Sequence, residues 1–119
     1  MTRIVIADRA KMLREMIGER INTMHPVVVD YAGDGNELVR IVEDDTYDAV
    51  IADCRLPPDG IETIREIRGN NLKIPILVYA KDASISEMNV MAAGASRFIS
   101  REAAHSDIIE RFLKDYGVI

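Results

Sequence analysis

The sequence predicts an α/β domain, a five-stranded parallel sheet with helices on both faces in a (βα)5 alternation. Three observations carry that prediction. Five short apolar runs alternate with five stretches whose apolar residues recur at helical spacing. The middle run, Ala49, Val50, Ile51 and Ala52, is unbroken, as a strand covered on both faces requires, and it ends abruptly in Asp53. Gly, Pro, Asn and Asp punctuate the junctions between these segments, so the elements are short and separated by turns.

Each element can be justified in order. Ile4 to Ala7 is an apolar run ended by Asp8, and Ala10 to Met24 then carries Leu13, Met16, Ile17, Ile21 and Met24 as a helical stripe. His25 and Pro26 break that helix. Val27, Val28 and Val29 form a second strand, and Gly33, Asp34 and Gly35 turn the chain into a helix with Leu38, Val39, Ile41 and Val42. The strand ending at Asp53 follows, then Leu56, Pro57, Pro58, Asp59 and Gly60 turn the chain sharply. Ile61, Ile64 and Ile67 mark a third helix that stops at Gly69, Asn70 and Asn71. Pro75 opens a fourth strand, Ile76 to Tyr79. Ser84 with Glu87 reads as a capping box for a fourth helix, with Ile85, Met88, Met91 and Ala92 as its stripe and Gly94 as its end. Phe98 and Ile99 form the fifth strand, near Ser100 and Arg101, and the last helix presents Ile108, Ile109, Phe112, Leu113 and Tyr116.

Composition narrows the function classes. The chain has 119 residues without linker, repeat or low-complexity run, the length of a single domain over 1–119 with no output domain expected within it. A net charge of −5 and a pI near 5.0 argue against nucleic acid or an anionic membrane as partner. Cys54 is the only cysteine, which excludes an internal disulfide and suits a reducing, cytoplasmic setting. No apolar run approaches the ~20 residues needed to span a bilayer.

Alternating strands and helices imply right-handed crossovers, and in the flavodoxin-like order 2-1-3-4-5 strands one and three are neighbours. Asp8 then stands beside Asp53 at the carboxyl edge of the sheet, with Tyr79, Ala80 and Lys81 arriving from strand four and Arg101 from strand five. Two carboxylates flanked by a cation form a candidate site for a divalent metal and a phosphoryl group.

The pieces IVIAD at 4–8, AGDG at 32–35, YDAVIADCRLPPDG at 47–60, IPILVYA at 74–80 and AAGASRFISR at 92–101 together resemble the receiver domain of two-component response regulators, the CheY-like family, over essentially the whole chain. The resemblance implies that Asp53 accepts a phosphoryl group from a histidine kinase or phosphotransfer protein. It also implies Mg2+ held by Asp53, Asp8 and the backbone carbonyl of Arg55, and no organic cofactor. A metal neutralises charge so that a carboxylate, a weak nucleophile, can attack phosphorus in line. Beyond self-catalysed transfer and slow autodephosphorylation, no enzymatic activity is implied. Signalling would pass to a downstream protein, or through a homodimer, by the surface of helix four, strand five and helix five, with Met88, Met91, Phe98 and Phe112.

Departures from the family pattern cluster at the site. Arg9 stands where a second acidic residue is usual, removing a metal-side oxygen and adding a charge able to pair with Asp53. Ala80 falls on the family Thr/Ser position and cannot donate a hydrogen bond. A one-place shift would put Tyr79 there instead, but it needs a gap within the strand. Arg101 falls on the family lysine, Glu102 on the proline that follows it, and Phe98 on the aromatic switch position, without a hydroxyl. The loop LPPDG is one residue shorter than the common form.

Simpler readings of these residues exist. Asp53 could cap the next helix or pair with Arg101, and Asp8 could cap the first helix. Cys54 reads as strand-end packing, His25 and His105 as isolated turn or surface residues, and the methionines at 12, 16, 24, 88 and 91 as core or interface packing. At the level of function, a phosphorylation-independent adaptor with Arg9 paired to Asp53 is the alternative to a phosphoacceptor. An enzyme or cofactor carrier is disfavoured, because Arg9, Ala10, Lys11 and Met12 stand where a phosphate-cradling glycine loop would be.

Overall fold

The computed structural model describes residues 1–80, 86–100 and 106–119. Lys81, Ser84, Ile85, Arg101, Glu102 and His105 lie outside the described residues. The elements alternate as β1 (Arg3–Ala7), α1 (Lys11–Met24), β2 (Val28–Ala32), α2 (Gly35–Asp44), β3 (Ala49–Asp53), α3 (Gly60–Asn70), β4 (Ile76–Ala80), α4 (Glu87–Ala93), β5 (Arg97–Ser100) and α5 (Ser106–Asp115). Among the described residues all four strand pairings are parallel, and the order is β2-β1-β3-β4-β5, the flavodoxin-like order expected from the sequence.

Strand side chains alternate between faces, so an apolar run covered on both sides divides into two cores. Val5, Ala7, Val50, Ala52, Ile76 and Val78 meet Leu38, Ile64, Ile67 and Val90 of α2, α3 and α4. Ile4, Ile6, Ala49, Ile51, Leu77 and Tyr79 meet Ile17, Ile21, Ile109, Phe112 and Leu113 of α1 and α5. β3 and β4 are buried along their whole length.

Helix starts follow capping chemistry. Asp34 accepts from the Glu37 N–H and Asp59 from the Glu62 N–H, while the Glu37 carboxylate accepts in return from the Gly33 N–H. Because Asp59 caps α3, Asp53 is not spent on that role. α4 begins at Glu87 with Ser86 accepting from the Asn89 N–H, and it ends at Gly94, whose φ of +123° suits glycine. Its buried residues are Val90 and Ala93; Met88, Met91 and Ala92 of the expected stripe are exposed. The stripe of α1 also differs, since Met16 is 60% exposed and Gly18 takes a buried place. His25 is not isolated: its Nε2 meets Glu110 Oε2 at 2.5 Å and ties the end of α1 to α5.

The turn after β3 is closed by Gly60, where an added Cβ would stand 2.0 Å from the Cys54 carbonyl oxygen. Backbone cannot yield as a flexible side chain can. Gly60→Ala is therefore expected to lower the free energy of unfolding by about 1–3 kcal/mol in urea titrations. An unchanged midpoint would show that the turn has slack.

Candidate phosphoacceptor site

The site grows out of strand alternation. Ile4 and Ile6 on β1, Ala49 and Ile51 on β3, and Leu77 and Tyr79 on β4 line the face toward α1 and α5. Ala7 pairs with Ala52, so Asp8 and Asp53 follow as neighbours, and Asp53 is in register with Tyr79. Asp8 is 0% exposed and Asp53 5% exposed. Carboxylates at this depth must find donors or opposite charge.

Among the described residues, Asp8 is held from three directions. Its Oδ1 accepts from the Ala10 N–H at 2.7 Å, and its Oδ2 accepts from the Tyr79 hydroxyl. The Arg14 guanidinium on α1 donates to the Asp8 backbone carbonyl at 2.9 Å. The Oδ1 bond goes to the N-cap residue Ala10 and not to a first-turn N–H of α1, so Asp8 shapes the turn before the helix without capping it, and it also joins β1 to β4 inside the core. Asp53 Oδ1 accepts from the Arg55 N–H at 3.2 Å, and its carbonyl accepts from the Leu56 N–H. Burial and the neighbouring carboxylates of Asp8 and Asp53 push the Tyr79 phenol far above its ordinary range.

The model of the response regulator receiver domain family matches residues 4–113. The chain belongs to the response regulator receiver family. It is 31% identical over 111 residues to response regulator MprA of Mycolicibacterium vanbaalenii, covering 92% of this chain and 48% of that protein. The chain thus spans about half the length of that curated relative. Among solved structures, a LuxR-family two-component response regulator from Aurantimonas superposes with a TM-score of 0.86 at 26% identity, covering 98% of this chain and 86% of the other. The response regulator TrrA of Thermotoga maritima, solved with Mg2+ and BeF, gives 0.86 at 23% identity, covering 98% of this chain and 99% of the other, and shows the shared fold.

The receiver brings together Asp8, Asp53, Tyr79 and the Arg55 backbone, and it places Ala80 in the other core and Phe98 against it. Ala80 lies on the opposite face, among Ala7, Ala52 and Cys54. Phe98 is partly buried against that same core, Arg9 is exposed, and Arg101 lies outside the described residues. Phe112, read as part of a docking surface, is buried in the other core, whereas Met88, Met91, Ile108 and Tyr116 are exposed. Two contributors were not foreseen, Tyr79 as the donor to Asp8 and Arg14 as the clamp on its carbonyl. The need of a buried phenol for a partner was the available signal for Tyr79.

The Mg2+ that the family implies meets a poor donor set here. Both Asp8 oxygens already accept from protein donors, and the residue that follows is the cation Arg9. Among the described residues, no group of three or more His, Cys, Asp or Glu is arranged to hold a metal ion. As arranged, these residues do not fit a divalent cation at Asp8.

The raised Tyr79 pKa fixes the sign of an alkaline effect. The unfolded chain ionises this phenol near pH ~10 while the folded chain keeps it protonated, so its stabilising contribution is complete below ~10 and lost as pH rises further. Tyr79→Phe is expected to flatten the fall of stability above that pH in denaturant titrations. An identical alkaline slope in both proteins would contradict this.

Proposed function

We propose that this receiver is a cytoplasmic signalling module that accepts a phosphoryl group on Asp53 from a histidine kinase or phosphotransfer protein and passes the signal by docking to another protein. The observation that carries the reading is Asp53 itself, a nearly buried carboxylate at the carboxyl end of the central strand, beside Asp8 and left unused as a helix cap. In the transfer, an Asp53 carboxylate oxygen bonds to phosphorus as the phosphorus–nitrogen bond of the phosphohistidine breaks. The imidazole nitrogen keeps the electron pair. The exposed residues Met88, Met91, Ile108 and Tyr116 on and near α4 and α5 support a docking surface there, for a target protein or a second copy. No helix among the described residues is long and apolar enough to cross a membrane.

A second reading, a phosphorylation-independent adaptor, is favoured by one observation: Asp8 is engaged internally while Arg9 adds positive charge to the same turn. Intact mass after treatment with acetyl phosphate, with Mg2+ present and absent, separates the two. The phosphoacceptor reading predicts a gain of one phosphoryl group that Asp53→Asn lacks. No gain from acetyl phosphate or from a phosphorylated histidine donor, with a standard receiver labelled in parallel, would overturn it.

A further inference from the structure

We infer that Tyr79 is a positioning residue that closes the metal side of this receiver's pocket: its hydroxyl holds Asp8 as acceptor, and Mg2+ binds weakly for as long as that bond is kept. The inference rests on reading the Asp8 and Asp53 edge as the phosphoacceptor pocket, and it concerns cation binding, not phosphoryl transfer. Tyr79 is 0% exposed and belongs to the core between the sheet and helices α1 and α5. Its ring is walled in by that core, so the hydroxyl cannot turn to water if Asp8 is withdrawn. A buried hydroxyl without an acceptor is costly, which makes the phenol compete with any cation for Asp8 Oδ2. The other oxygen, Oδ1, serves the Ala10 N–H that sets the turn into α1, and Arg14 holds the carbonyl of the same residue. Asp8 is therefore fixed in the orientation that serves Tyr79.

Arg9 is the obvious suspect for cation exclusion, but the geometry ranks it second. It is exposed, on a long side chain that water screens and that can swing aside. Tyr79 has no such freedom. The β3 and β4 register, with Asp53 opposite Tyr79 and the Cys54 N–H donating to the Tyr79 carbonyl at 2.9 Å, fixes the backbone from which the phenol extends. Ala80, one residue later, points into the other core and offers no replacement donor.

Titration calorimetry with Mg2+ alone tests this on wild type, Tyr79→Phe and Arg9→Asp. Tyr79→Phe is expected to tighten Mg2+ binding by about tenfold or more, the scale set by removing a competing hydrogen bond to a charged group. Arg9→Asp is expected to tighten it by less than Tyr79→Phe does. An unchanged affinity in folded Tyr79→Phe, or a larger gain from Arg9→Asp, would overturn the inference. Wild-type protein carrying tyrosine labelled with 13C at Cζ gives a reading that does not depend on the variant folding. The Tyr79 signal, assigned through Tyr31→Phe, Tyr47→Phe and Tyr116→Phe, should keep its position at Mg2+ concentrations that saturate an ordinary receiver. A shift of that signal under those conditions would overturn the inference. Neither readout requires phosphoryl transfer, so a failure here is distinct from a failure of Asp53 to accept a phosphoryl group.

Discussion

The buried hydrogen bond from Tyr79 to Asp8 is the constraint on which the rest of this site depends. A carboxylate with no solvent exposure needs donors, and a phenol sealed in a core needs an acceptor. Each solves the other's problem. The bond also spans the sheet from β4 to β1, passing the central strand whose last residue is Asp53.

That pairing is possible because the scaffold beneath it is rigid. The three central strands are buried on both faces and hydrogen-bonded in parallel register, so the positions of Asp8, Asp53 and Tyr79 follow from residue numbers along the strands. Capped helix starts at Asp34 and Asp59, and the closely packed turn at Gly60, fix the loops on either side. On β4 the Tyr79 hydroxyl and the Ala80 methyl face opposite sides of the sheet, so the hydroxyl reaches Asp8 from the core toward α1 and α5.

Most of the fold was legible in the sequence, because periodicity and turn residues report directly on strand and helix placement. Alternation gave the parallel sheet, and the adjacency of Asp8 to Asp53 followed once the flavodoxin-like strand order was adopted. Side-chain detail was less legible. Met16 reads as part of an apolar stripe, yet small Gly18 fills the buried place where Tyr31 closes in, its hydroxyl 2.1 Å from where a Gly18 Cβ would stand. The start of α4 was placed by Ser84, but Ser86 offers the cap. Phe112 looked like surface because α5 is amphipathic and its orientation cannot be read from spacing. The role of Tyr79 was hidden for a different reason: alignment by position directs attention to Ala80, whereas the hydrogen bond depends on the reach of a phenol across two strands.

The central claim, that Tyr79 and Asp8 are energetically coupled in the resting protein, is tested most directly by a double-mutant cycle. Unfolding free energies of wild type, Tyr79→Phe, Asp8→Asn and the double variant isolate the pairwise coupling from the cost of each change alone. A hydrogen bond to a buried carboxylate should give a coupling of about 1.5–3 kcal/mol. Strictly additive effects of the two substitutions would contradict the account, because they would mean that Asp8 is held by other groups and that the phenol merely lies beside it.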